Sequence, residues 1–171
     1  MHDYTRPFIS LDPDQWSAAV DRPLLHEGMG SMIEPRRERR VIGFAGEIAA
    51  CIYLTGSDSL WYDTQDRWDQ TGIEQPDLWA FPTLEIKTLT DVAYTRMPLN
   101  TPYETIPRPG VDFFATRYAG GRLFEMLGWI SNRASVAIWS MNLQRFRTGA
   151  PCINVDVLSP PSTCPWKVNH D

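Results

Sequence analysis

The chain has 171 residues, of which 43% are hydrophobic and 22% are charged, a composition typical of one soluble domain with a sizeable core. Its sixteen basic and twenty-one acidic residues give a formal net charge of −5, which excludes a uniformly basic nucleic-acid-binding surface but not a local basic patch. No stretch approaches the roughly 18 apolar residues of a membrane span and no signal peptide is visible, so we expect a cytoplasmic protein without membrane association.

The chain divides by pattern into an arm, a core and a tail of one domain. Residues 1–33 are expected to form an irregular arm with one short helix around 14–20. The core spans 34–141, and the proline-rich tail, 150–171, is expected to lie extended over it. The three cysteines are widely spaced and form no CxxC pair, which predicts buried thiols rather than a disulfide framework or a zinc site: Cys51, Cys152 and Cys164.

The stretch 34–56 predicts a long helix early in the core. Ser31 and Glu34 have the spacing of a capping box, and Gly56 is expected to end the helix. Apolar side chains recur at helical spacing along one face, at Val41, Phe44, Ala45, Ile48, Ala49 and Ile52. This face predicts packing of the helix on a sheet.

Three short runs after this helix predict strands, at 59–64, 76–81 and 83–89, the last two joined through Pro82. The segment 90–110 is rich in proline and threonine, has no clear period and predicts a loop.

Two aromatic runs at 111–119 and 122–131 flank Gly120 and Gly121, which predicts a hairpin. The run 136–141 fits either a strand or the start of a helix. The expected fold is therefore α/β, with a mixed central sheet and the long early helix packed on it.

The run TLEIKTL contains one of only two lysines in a chain with fourteen arginines. Glu85 and Lys87 lie two residues apart, so on a strand they share one face, while Ile86 is expected to face the helix. If 76–81 pairs with 83–89 across the turn, Asp77 lies beside Glu85 and Lys87.

Two carboxylates at one place repel each other, and a hard divalent cation removes the conflict. A lysine beside them supplies a compact charge on a flexible stem, which suits the orientation of a water molecule or the stabilisation of charge on a phosphate. The cluster therefore points to metal-assisted chemistry at a phosphate.

Pro76-Asp77, a gap of seven residues and then Glu85-Ile86-Lys87 resemble the signature of the PD-(D/E)XK nuclease superfamily. The resemblance covers roughly residues 41–131 and implies a restriction-endonuclease-like core. It departs from the family at 90–110, where the family has a helix and this chain has four prolines.

The resemblance implies Mg²⁺-dependent (or Mn²⁺-dependent) hydrolysis of DNA, as an endonuclease and possible homodimer. Asp77, Glu85 and the Ile86 carbonyl would hold the metal, and Lys87 would assist the attacking water. The preceding helix of the family supplies another glutamate, a role that Glu47 would take as an auxiliary metal or water ligand.

Four arginines at the start of the long helix oppose its dipole, so helix stability does not explain them: Arg36, Arg37, Arg39 and Arg40. Contact with DNA phosphates would explain them. A solvated charged face is the alternative. Four aromatic residues either stack on unpaired bases or belong to the core: Trp61, Tyr62, Trp68 and Trp79.

Each site residue also has a plain structural alternative. Asp77 fits a turn at a strand start, Glu85 and Lys87 fit an exposed sheet face, and Glu47 fits ordinary helix surface. The alternative function is a catalytically inactive nuclease-like fold that serves as a nucleic-acid- or protein-binding subunit. An enzyme acting on RNA or a small molecule is a further possibility that the sequence does not separate from DNA cleavage.

Overall fold

The computed structural model describes residues 5–25, 34–73, 75–99, 106–147 and 149–168, with main chain alone for 23–25 and 34–36. Its helices are Pro13–Leu25 (α1), Glu34–Thr55 (α2), Ser59–Thr71 (α3) and Asn132–Asn142 (α4). Its strands are Phe8–Ser10 (β1), Leu84–Leu89 (β2), Arg96–Pro98 (β3), Asp112–Gly120 (β4), Leu123–Ile130 (β5) and Cys152–Asn154 (β6).

The main sheet has four strands in the order β1-β5-β4-β2. Strand β2 runs parallel to β4, whereas β4 with β5 and β1 with β5 are antiparallel pairs. The expected mixed α/β sheet is therefore confirmed. Strands β3 and β6 form a separate antiparallel pair.

Alternating side chains of the sheet face two different hydrophobic clusters. Ile86 and Phe114 belong to the cluster that includes the buried stripe of α2. Phe113 and Ala115 belong to a second cluster with Trp139 of α4 and residues of β3 and β6. The sheet is thus the middle of three layers, and α2 packs on the face toward which Ile86 was expected to point.

Helix α2 approaches the sheet closely at Gly46. A β-carbon at this position would lie 2.0 Å from the Thr88 hydroxyl oxygen and 2.6 Å from its methyl carbon. The Thr88 hydroxyl accepts a hydrogen bond from Thr116 (3.0 Å), which holds it in the sheet. The absence of a side chain at residue 46 lets α2 sit against β2, and it places Glu47, the next residue, beside the edge of the sheet.

The predicted helix 34–56 agrees with α2, which ends before Gly56, a residue with φ of 81°. Ser31 of the expected capping box lies outside the described residues. The predicted hairpin is also confirmed, one residue displaced: Gly120 closes β4 opposite Leu123, and the turn is Gly121-Arg122.

The predicted strand at 59–64 is wrong, because these residues begin helix α3. Its buried side chains, Trp61, Thr64 and Gln65, follow a helical rather than an alternating spacing. Six residues rich in aromatics resemble a strand, and only the longer window to Trp68 reveals the helical stripe. The run 136–141 likewise lies within a helix, α4.

The predicted strand at 76–81 is also wrong, because this segment folds as consecutive turns. The Phe81 amide donates to the Leu78 carbonyl (2.8 Å), and the Leu84 amide donates to the Phe81 carbonyl (2.9 Å). The Trp79 amide donates to the Thr64 hydroxyl (3.0 Å), which ties the segment to α3 instead of to a neighbouring strand.

The N-terminal segment is more regular than the expected arm. Strand β1 extends the sheet beside β5, and α1 is longer than the predicted helix at 14–20.

The tail contains β6 and two short 3₁₀ helices, and the Val168 amide donates to the Leu54 carbonyl at the end of α2 (2.7 Å). The three cysteines are buried and free, as predicted. Among the residues described, no helix is long and apolar enough to cross a membrane.

Candidate metal and phosphate site

Asp77 reaches the site from the turn segment rather than from a strand. Leu78, the next residue, is fully buried and anchors the segment in the core. One Asp77 carboxylate oxygen, Oδ2, accepts a hydrogen bond from the Ile86 amide at 2.6 Å. The expected neighbourhood of Asp77 and the Glu-Ile-Lys run therefore exists, although a side-chain hydrogen bond creates it and not a strand pair.

Strand β2 is the outer strand of the four-stranded sheet in the part of the chain described. The amide and carbonyl of one strand residue point to the same side of the strand. Because the Ile86 amide bonds to Asp77 and not to β4, the Ile86 carbonyl also faces the open edge. Ile86 thus presents a backbone oxygen beside the Asp77 carboxylate while its side chain is buried.

Glu85 and Lys87 form an ion pair on the same face of β2, through Glu85 Oε1. The second oxygen, Oε2, pairs with a guanidinium nitrogen of Arg108 at 3.0 Å. The Glu85 and Lys87 side chains are only 14% and 18% exposed, which argues against the alternative of a freely solvated sheet face.

Glu47 lies on α2 at the same edge. Its carboxylate oxygen Oε2 accepts a hydrogen bond from the indole nitrogen of Trp61 (3.1 Å), which fixes its direction. Burial raises the pKa of Glu47 well above its ordinary value, and the nearby Asp77 charge raises it further. Glu47 is therefore not ordinary helix surface, and Trp61, at 2% exposure, belongs to the core.

Asp77 also has a perturbed acidity. Burial raises its pKa to about 6, the hydrogen bond from the Ile86 amide opposes this shift, and the Glu85 charge adds to it. Burial therefore disfavours the charged forms of both Glu47 and Asp77, and a neighbouring carboxylate adds to the shift in each case, Asp77 for Glu47 and Glu85 for Asp77. The Asp77 and Glu85 carboxylates and the Ile86 carbonyl are oxygen donors of the type that Mg²⁺ or Mn²⁺ prefers, and a hard cation would favour the charged carboxylates that the protein alone disfavours.

The side chains do not form a complete metal-binding cage as they stand. Over the described residues, no three His, Cys, Asp or Glu side chains are grouped so that they could hold a metal ion. Lys87 and Arg108 instead pair with Glu85, and the Ile86 amide pairs with Asp77. Binding of a cation by Glu85 would have to replace one of these partners.

A cleft of about 320 Å³ opens between α2, α3 and the turn segment. Glu47 and Asp77 line it together with Arg39 and Arg40, so acidic and basic side chains share one concave surface. Two of the four predicted phosphate-binding arginines thus lie at the cleft. Arg37 is half-buried and is not among its lining residues, and the side chain of Arg36 lies outside the described residues.

The remaining aromatic candidates differ in position. Trp68 lines the cleft. Tyr62 and Trp79 are each 36% exposed, and the Arg67 guanidinium lies 3.7 Å from the centre of the Trp79 ring. Stacking on nucleic-acid bases stays a prediction for these three residues.

Sequence reasoning missed two contributors to the site. Arg108 lies in the segment predicted as a featureless loop, where no local period marks its contact with Glu85 across 23 positions. The sequence predicts Trp61 only as a stacking or core residue, although a buried indole nitrogen needs a hydrogen-bond acceptor and Glu47 on the adjoining helix supplies one.

Comparison with protein-family models, with curated proteins and with solved structures finds no match to this chain. The resemblance to PD-(D/E)XK nucleases therefore stays a prediction from the sequence motif.

Proposed function

We propose that this chain is a divalent-metal-dependent nuclease that hydrolyses phosphodiester bonds of DNA on a restriction-endonuclease-like core. The observation that carries the proposal is the hydrogen bond between Asp77 and the Ile86 amide, since it joins the two halves of the motif at an open sheet edge beside Lys87. Two partly buried acids at the same edge, Glu47 and Asp77, support it, because burial raises the pKa of each carboxyl.

In this proposal Asp77, Glu85 and the Ile86 carbonyl hold the cation. The bound ion supplies polarisation of the phosphoryl oxygen and stabilisation of the leaving oxygen. Its binding requires the charged form of Asp77, so we expect affinity to rise as the pH passes through about 6.

The remaining groups position the reactants. Lys87 donates a hydrogen bond to the oxygen of the attacking water, and Glu47 accepts the proton that the water loses. The water oxygen forms the new bond to phosphorus, the bond from phosphorus to the leaving deoxyribose oxygen breaks, and that oxygen is protonated by solvent. Arg39 and Arg40 bind phosphates of the strand along the cleft.

A second candidate function is a binding subunit on a catalytically inactive nuclease-like fold. The specific observation in its favour is that both oxygens of Glu85 are paired with cationic side chains of the protein itself. The net charge of −5 also favours a partner other than bulk DNA.

Cleavage assays separate the two functions. Wild-type protein is incubated with supercoiled plasmid and with oligonucleotides in Mg²⁺, Mn²⁺ or EDTA, beside Lys87→Ala and Asp77→Ala. We expect metal-dependent cutting by the wild type and a loss of at least about 100-fold in each variant, a typical loss for removal of acid–base or charge-stabilising groups.

The other lysine provides a matched control. Lys167 lies with its ammonium 4.6 Å from the centre of the Tyr53 ring, so Lys167→Ala is expected to cut like the wild type. Equal cutting by all variants would reveal a contaminating nuclease. If the protein cuts with none of the metal ions but still binds oligonucleotides in EDTA, the result would support the second candidate function, a catalytically inactive binding subunit.

A further inference from the structure

Arg108 enters the site from outside the motif. Its guanidinium pairs with Glu85 Oε2 at 3.0 Å, and its charge also lowers the pKa of Asp77. The Arg108 side chain is 51% exposed, whereas Glu85 is 14% exposed. The arginine head group therefore contacts the site, while about half of the side-chain surface of Arg108 is exposed to solvent.

The main chain of Arg108 is held on both sides. Its amide donates to the Leu99 carbonyl (3.0 Å), and its carbonyl accepts from the Asn132 side-chain amide (2.9 Å) at the start of α4. The guanidinium can thus exchange partners by rotation of side-chain torsions, without movement of the backbone.

Glu85 has two cationic partners, and they differ in how readily they leave. Lys87 is 18% exposed and projects from the same strand, two residues away. Arg108 is half-exposed, and an ion pair to an exposed side chain contributes little net free energy because water replaces the partner. A divalent cation that takes Glu85 as a ligand would therefore displace Arg108 rather than Lys87.

We propose that Arg108 is a further catalytic residue, which neutralises Glu85 in the metal-free protein and moves to a non-bridging oxygen of the scissile phosphate when a cation takes Glu85. The inference rests on the proposed nuclease function. A guanidinium carries a planar set of donors that matches a phosphate bidentately, and it can stabilise the charge that builds on the phosphoryl oxygens in the transition state.

Two measurements on Arg108→Ala, Arg108→Gln and Arg108→Lys test the exchange. At saturating Mg²⁺ we expect Arg108→Ala and Arg108→Gln to lower kcat by about 100-fold or more with a smaller effect on KM. Arg108→Lys restores only part of kcat, because an ammonium lacks the bidentate fork. In calorimetric titration with Mn²⁺ in the absence of DNA, we expect Arg108→Ala and Arg108→Gln to bind Mn²⁺ as tightly as the wild type or more tightly. The reason is that these variants lack the guanidinium that competes with the ion for Glu85.

A merely structural role for Arg108 predicts a different pattern, in which the alanine variant binds Mn²⁺ more weakly and melts at a lower temperature. Arg122→Ala, at the exposed hairpin turn, is the control and should behave as the wild type in both assays. Cleavage by Arg108→Ala within about threefold of the wild type, or weaker Mn²⁺ binding in parallel with the lost rate, would overturn the proposal. If the wild type does not cut DNA in the presence of any metal ion, the proposed nuclease function itself fails.

Discussion

Replacement of Lys87 by arginine is expected to slow phosphodiester cleavage by about 100-fold or more, although the charge is kept. A guanidinium is larger than an ammonium and presents a planar fork that matches a carboxylate. At this position it would engage Glu85 bidentately and withdraw that carboxylate from the cation. Single-turnover rates at saturating Mg²⁺ measure the effect.

The choice of lysine in an arginine-rich chain is thereby tested directly. Lys167→Arg, at the other lysine, serves as the control and should retain the wild-type rate. A Lys87→Arg variant that cuts within about threefold of the wild type would show that charge alone matters at residue 87.

Gly46→Ala is expected to destabilise the protein by about 2–3 kcal/mol, a large effect for one methyl group. The added carbon would lie within 3 Å of three Thr88 atoms, in the contact between α2 and β2. Because Thr88 is β-branched and hydrogen-bonded to Thr116, it has little freedom to turn away. Urea denaturation monitored by the helical circular dichroism signal measures the loss.

The same helix provides a control of opposite sign. A β-carbon at Gly43 would meet nothing within 4 Å, so Gly43→Ala should stabilise the helix by about 0.5–1 kcal/mol. Thr88→Ala combined with Gly46→Ala should recover part of the loss, since two of the three clashing atoms are removed. A Gly46→Ala variant as stable as the wild type would show that α2 does not depend on this contact.

The elements that local sequence predicts well are those with a long, single period. Helix α2 has six apolar positions on one stripe and a terminating Gly56, and the hairpin of β4 and β5 has its glycine turn, so both were predicted within a residue or two. Helix α3 was missed because the six-residue window at 59–64 was too short to distinguish aromatic helix from aromatic strand.

The structure corrects the predicted way in which Asp77 comes to lie beside Glu85. Asp77 was expected beside Glu85 through pairing of two strands, but 76–81 is held in turns by Thr64 of α3. The side chain of Asp77 bonds to the β2 backbone instead. Spacing along the chain indicated which residues meet, whereas the contact with α3 that decides how they meet has no local signature.

The contacts of Arg108 and Trp61 could not be predicted from the sequence for a related reason. Each joins a site carboxylate from another element, 23 positions from Glu85 and 14 positions from Glu47. Neither contact leaves a periodic mark in the sequence, so only the folded arrangement of α3, β2 and the loop before β4 reveals them.

The measurement that tests the central claim most directly is the anomalous diffraction of Mn²⁺ in crystals of the wild-type protein. The proposed site predicts a peak in contact with carboxylate oxygens of Asp77 and Glu85 and with the Ile86 carbonyl, with the Lys87 ammonium beside it and Arg108 turned away from Glu85. A site without an ion at a Mn²⁺ concentration that saturates cleavage, or Mn²⁺ bound only by other residues, would contradict the account.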